Sequence, residues 1–260
     1  MSFIVIKRSV LKLTALVLFL AVCLVMPFGE NSASAVFFGD NLRKVPIYAV
    51  HTDQKRVAIS FDAAWGADKT QGILDILAEY KTNATFFLVG FWVDKYPDMV
   101  RAIDEAGCEI GTHSNTHPDM VKLSSAQMQQ ELTASVKLIE DITAKKVSLF
   151  RAPFGSYNNA LLDTAESLSL KTIQWDVDSL DWKGLGVAEM SARVTGKAKN
   201  GSIILFHNNS DHILDALPVI LDLLIKNGYT VGQISDLVYS DNYTIDRAGI
   251  QRKNKNKQEI

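Results

Sequence analysis

The chain has 260 residues, 47% of them hydrophobic and 22% charged, with 15 Gly and 6 Pro. These values exclude collagen-like, low-complexity and wholly disordered character. A formal net charge of −2 gives no global attraction to nucleic acid, and the two cysteines, Cys23 and Cys108, are too few for a disulfide framework.

In chain order, Lys7, Arg8 and Lys12 precede the apolar run Leu13–Met26, Pro27 and Gly29 break it, and Ala33-Ser34-Ala35 follows. A basic region, a short apolar region and an A-x-A site describe an export signal peptide over residues 1–35. The run is short beside the roughly 17–25 residues of a bilayer span. Phe28 and Phe3–Ile6 can lengthen the apolar zone, so an uncleaved membrane anchor over residues 1–28 is the alternative. Either way the expected location is outside the cytoplasm, at the cell wall or the outer side of the membrane.

Residues 36–55 read as a leader that wraps the next domain or pairs at an edge. From residue 56 to 238 short apolar runs alternate with helical stretches. The strand-like runs are Val57–Phe61, Ala84–Val89, Glu109–Thr112, Val147–Phe150, Lys171–Trp175, Ser202–Phe206 and Tyr229–Val231. Between them lie i, i+3, i+4 patterns such as Met128-Leu132-Val136-Ile139 and Leu214-Leu217-Ile220-Leu221-Leu224. Ser124 with Gln127 reads as a capping box before the former, and Lys226-Asn227-Gly228 ends the latter. Apolar strands alternating with helices predict one α/β domain with a parallel sheet, either a (β/α) barrel of about seven strands or an open doubly wound sheet. Residues 239–260 read as a basic polar tail, with five Lys/Arg from Asp246 onward and little to bury. Cys108, just before a strand, reads as a small buried hydrophobe.

Polar residues fall at one edge. Asp62 follows Phe61, His113 and His117 follow Thr112, Arg151 follows Phe150, Asp176 and Asp178 follow Trp175, and His207 follows Phe206. The C-terminal edge of a parallel sheet is where α/β proteins place chemistry. Two imidazoles four residues apart can share a zinc ion, and a third ligand would complete a catalytic site with a position open for water. Asp62 is a candidate general base with Arg151 lowering its pKa, and His207 a candidate general acid. Asp62 with Asp178 or Asp181 is also the kind of carboxylate pair a glycoside hydrolase uses, although three histidines fit that chemistry poorly.

Ser60-Phe61-Asp62-Ala63, His113-xxx-His117, Arg151-Ala152-Pro153-Phe154-Gly155, Asp178-Ser179-Leu180-Asp181-Trp182 and Leu205-Phe206-His207 resemble, in order and spacing, the five motifs of the NodB-type polysaccharide deacetylases, carbohydrate esterase family 4 (CE4). The SFDAAWG segment and compact size are most similar to the PdaB group of sporulation deacetylases. The resemblance implies a distorted (β/α) barrel that removes N-acetyl groups from amino sugars of peptidoglycan or a related polysaccharide, acting as a monomer. It implies Asp62 as catalytic base, His207 as general acid, Arg151 and Asp181 as their supports, and His113 and His117 as ligands of a divalent metal, zinc by preference. It further implies the Phe154 amide as an oxyanion donor and Trp182 as a groove wall.

One position departs from the pattern. Where the family has a second aspartate as third metal ligand, this chain has Ala63, and Asp68 would have to fold back to replace it. Trp65 replaces a small residue and narrows the substrate site. The departure implies weakened metal ligation, metal-independent hydrolysis, or a catalytically silent glycan-binding or spore-wall protein.

Overall fold

In the computed structural model, which describes residues 43–254, the chain runs β1 (Ala49–Val50), β2 (Arg56–Ala63), α1 (Thr70–Glu79), β3 (Thr85–Leu88), α2 (Gly90–Lys95), α3 (Pro97–Glu105), β4 (Glu109–Thr112), α4 (Ser125–Thr143), β5 (Leu149–Phe150), α5 (Asn159–Ser167), β6 (Lys171–Thr172), β7 (Val177–Asp178), α6 (Val187–Lys197), β8 (Ile203–His207), α7 (Ile213–Lys226), β9 (Thr230–Gly232), β10 (Tyr243–Ile245) and β11 (Ile250–Lys253). The expected signal or anchor segment lies outside the described residues. Among those described, no helix is long and apolar enough to cross a membrane.

The main sheet is parallel, in the order β6-β5-β4-β3-β2-β8-β7, with β9 added to the first residues of β2. Helices lie between most of its successive strands, which gives the distorted (β/α) barrel. β6 and β7 stand at opposite ends of the strand order, and the leader spans the opening between them. Ile47 bridges Ile173 and Ala49 bridges Ser202, with Gln174 N–H donating to Ile47 at 2.7 Å and Val50 N–H to Gly201 at 2.9 Å. Gly201 has φ +83°, and a Cβ there would overlap the Val50 carbonyl, so this crossing requires glycine on both counts.

The pleat of β2 divides the core. Val57, Ile59, Phe61 and Ala63 belong to the cluster between sheet and helices. Ala58 joins Phe87, Leu149, Ile173 and Ile203 in a smaller cluster inside the barrel. Phe61 stacks on Phe86 and Phe206 at centroid distances of 5.0 and 5.5 Å. Successive residues face opposite sides, so Asp62 shares the inner face with Ala58 while Ala63 turns outward. The capping box forms, with Ser124 N–H donating to Gln127 at 2.9 Å. Cys108 is buried as expected.

Two sequence readings need correction. The polar stretch after residue 239 is a hairpin and not a solvated tail as far as residue 254: β10 pairs antiparallel with β11, which pairs parallel with β1. Gln251 is fully buried and exchanges 2.8 Å hydrogen bonds with the Tyr239 backbone. This strand is held by ladder hydrogen bonds and one buried amide, which an apolar pattern does not register. The run Lys171–Trp175 is strand only over β6, and β7, two residues long, follows after a break.

Candidate active site

Register builds the floor of the site. Asp62 lies directly opposite His207 in the β2–β8 ladder, and Thr112 opposite Phe150 in β4–β5, so His113 and Arg151 leave their strands side by side. Asp62, His113, His117, Asp178, Asp181 and His207 line one cleft of about 700 Å³ with Trp65, Phe154, Trp175 and Trp182. Trp65, Phe154 and Trp182 are 64%, 69% and 58% exposed. Exposed aromatics walling a cleft whose floor is polar describe a ligand site.

Arg151 lies fully buried beneath this floor. Its Nη1 donates to Asp62 Oδ1 at 2.8 Å and its Nη2 to the Gln174 carbonyl at 3.2 Å. The guanidinium sits 4.2 Å from the Phe87 ring centroid and 5.5 Å from that of Trp175. Burial by itself would push the Asp62 carboxyl up, but the Arg151 charge, then His113 and His207, hold it below the ordinary carboxylate value. Asp62 is therefore an anion at neutral pH, with one oxygen committed to Arg151 and Oδ2 turned toward His113 Nε2 at 3.6 Å.

Opposite, Asp181 holds His207 by two bonds: the His207 backbone N–H donates to Oδ2 and ring Nδ1 to Oδ1, both at 2.7 Å. A carboxylate only accepts, so Nδ1 carries the proton and Nε2 is left for a ligand. Burial acts to lower the His207 pKa, but the hydrogen bond and charge of Asp181 raise it above the ordinary value. Nor is Asp181 free to act as the second carboxylate of a glycosidase, since Oδ1 also accepts from Trp182 N–H at 2.9 Å.

The two remaining imidazoles are neutral. His113 Nδ1 donates to the Arg151 carbonyl at 2.8 Å, leaving Nε2 unprotonated, and burial lowers its pKa. Burial, then His113, lowers that of His117 to about 4. Their rings meet edge-on at 4.9 Å. The loop carrying them contains left-handed Ser114 (φ 68°) and His117 (φ 57°). Glu131 of α4 clamps it, accepting from Asn115 N–H at 2.9 Å and Thr116 N–H at 2.8 Å. Phe154 (φ 60°), which lines the cleft, and Leu180 (φ 56°), next to Asp181, are left-handed too.

The donor set does not complete a metal centre. Neutral imidazoles with free nitrogens suit zinc, but the third place is Ala63, buried among apolar side chains. Asp68 is exposed ahead of α1 and does not line the cleft. Among the described residues no group of three or more His, Cys, Asp or Glu is arranged to hold an ion. Asp176 also leaves the site, accepting from Ser202 Oγ at 3.0 Å and Ile203 N–H at 2.9 Å. Sequence reasoning missed the residues that fix the loops: Glu131, Trp92, whose Nε1 donates to the Gly66 carbonyl at 2.7 Å, and Asn208, which donates to the same carbonyl at 2.9 Å. Glu131 carries no sequence signal, being one polar residue on a helix face. Asn208 could have been suspected from its place beside His207.

Residues 49–173 match the polysaccharide deacetylase family. A peptidoglycan-N-acetylglucosamine deacetylase of Bacillus cereus is 33% identical over 196 residues, 74% of this chain and 92% of the relative. The chain belongs to the polysaccharide deacetylase family. Bacillus subtilis YlxY is 33% identical over 199 residues, 76% of this chain but 62% of that protein's length, so the chain spans less than two thirds of this relative. Among solved structures, a CE4 family pseudoenzyme from Bacillus anthracis superimposes with a TM-score of 0.72 at 36% identity, covering 74% of this chain and 68% of that one.

Proposed function

We propose that the chain hydrolyses N-acetyl groups on amino sugars of peptidoglycan or a related polysaccharide. The observation that carries this is the opposition of an anionic Asp62 and an imidazole held by Asp181, in register across β2 and β8 under aromatic walls. Water adds to the acetamide carbonyl carbon while Asp62 takes its proton, with the lone pair of His113 Nε2 beside it to orient that water. The C–N bond then breaks as His207 Nε2 gives its proton to the departing nitrogen, releasing acetate and a free amine. Asp181 keeps His207 protonated for this step, and the resemblance assigns the Phe154 amide to the developing oxyanion. Asp62, His113 and His207 supply the base, the water-orienting lone pair and the acid from the chain's own side chains.

The same reading puts the protein at the cell envelope. Its support is the basic, apolar and A-x-A order of residues 1–35 and the peptidoglycan named for the relatives. The sporulation role is supported by the SFDAAWG segment, the signal region and the compact size. The test is acetate release from peptidoglycan and chitooligosaccharides by the wild-type protein and by His207→Ala. Release that depends on His207 supports the reading. Glycan binding without acetate supports the second reading, a silent glycan-binding protein, which Ala63 and the likeness to a pseudoenzyme favour.

A further inference from the structure

The aromatic wall does not stop at the cleft. Phe154 meets His117 edge-on at 4.7 Å, His117 meets Trp65 at 5.1 Å, and Trp65 meets Phe91 at 6.3 Å. Phe91 lies beyond the cleft lining at the start of α2, yet it is 38% exposed. Its position is fixed: its backbone N–H donates to the Asn115 carbonyl at 3.1 Å and the preceding Gly90 N–H to Ser114 at 2.9 Å. Gly90 is packed against Asn115, where a Cβ would collide with the side chain. The loop that positions His117 therefore also positions Phe91, so the row Phe91–Trp65–His117–Phe154 is one built surface continuous with the reacting site. Nothing in the fold of the domain requires a tryptophan 64% exposed beside a phenylalanine 38% exposed, whereas the apolar faces of pyranose rings stack on aromatic side chains of this kind.

We propose that Phe91, with Trp65, forms a further sugar subsite that holds a pyranose ring of the polysaccharide next to the one in the cleft, and that this hold needs no metal. The inference rests on the glycan reading above, and it makes recognition depend on chain length. With full-length protein in chelator, titration calorimetry would compare N-acetylglucosamine with its β-1,4-linked tetramer. The tetramer should bind wild type more tightly than the monosaccharide. Phe91→Ala should weaken the tetramer roughly three- to tenfold, the worth of one aromatic contact, leave the monosaccharide unchanged, and be rescued by Phe91→Tyr. Unaltered thermal unfolding of Phe91→Ala excludes a folding defect. If Phe91→Ala binds the tetramer like wild type while Trp65→Ala loses it, the subsite is overturned and the glycan cleft stands. If wild type binds neither sugar, the glycan reading falls and the subsite with it. Tetramer binding only after zinc is added overturns the metal-free part.

Discussion

Replacing Arg151 by alanine removes the cation on which a buried carboxylate depends. At the 2.8 Å contact with Asp62, the gross attraction at an effective dielectric of 20 is about 6 kcal/mol, a large part of it cancelled by desolvation of both groups. The cost of breaking such a pair from one side is about 3–5 kcal/mol, because the other charge stays behind. Asp62 is only 6% exposed and escapes by taking a proton. In wild type its folded pKa lies below the unfolded value, so its stabilising contribution is present above the ordinary carboxylate pKa and is lost as pH falls through the folded value. In Arg151→Ala burial dominates and the folded pKa rises above the unfolded one. The contribution becomes unfavourable at neutral pH and is relieved as pH falls through that raised value. Urea unfolding should therefore show a difference of about 3–5 kcal/mol at neutral pH that shrinks by about pH 4.5. In an Asp62→Asn background the same arginine is an unpaired buried cation, and its removal should cost little or stabilise. An equal loss at both pH values and in both backgrounds would refute the ion-pair account and reduce Arg151 to packing against Phe87 and Trp175.

His207→Ala should lower turnover by roughly 10²–10⁴-fold, the range for lost acid–base help, and activity within a few-fold of wild type would remove it from the reaction. Asp181→Asn takes away the charge that raises the His207 pKa, so the alkaline limb of the pH–rate profile should move to lower pH; an unmoved limb would mean another group donates the proton. Ala63→Asp buries a carboxylate in the apolar cluster behind the cleft, so the metal-free variant should melt below wild type; a larger gain in melting temperature with zinc than wild type shows would mean that the end of β2 turns the new carboxylate round to His113 and His117. Equal zinc responses would show that these groups do not converge. Gly201→Ala, at φ +83° against the Val50 carbonyl, should cost more than about 2 kcal/mol in urea unfolding, and a neutral effect would mean that the leader crossing can relax.

What the sequence made legible follows from which forces write themselves as patterns. Strand β2 is an apolar, β-branched run ended by a charge, so Asp62 and its edge could be read directly. So could His207, since Ser202–Phe206 is unbroken. β7 could not, because two residues between turns carry no period. The C-terminal hairpin stayed hidden because its hydrogen bonds to β1 and the buried Gln251 contribute nothing to hydropathy. Asp176 and Asp178 are identical in kind and two apart, and only the fold sends the first to Ser202 and the second into the cleft. Ala63 was legible as a missing donor, but its outward aim into the apolar cluster needed the pleat.

That aim explains why one of the three metal ligands could be absent from an otherwise complete site. A methyl group at position 63 sits among apolar neighbours and suits the fold as it stands, so no folding requirement opposes alanine there. Asp62 and Arg151 are in the reverse position. Either alone is an uncompensated buried charge, and folding energetics hold the pair together whether or not a reaction occurs. The same holds for Asp181, 2% exposed and committed to His207. Burial therefore ties base and supports into one network that cannot be dismantled residue by residue without loss of stability. Exposed groups are the better witnesses: Trp65, Phe154 and Trp182 bury little in folding, and their solvent-facing rings are explained by a ligand. Variants at these aromatics and at His207, whose side chain is 34% exposed, can separate binding from hydrolysis with the fold intact, which variants at Asp62 or Arg151 cannot do.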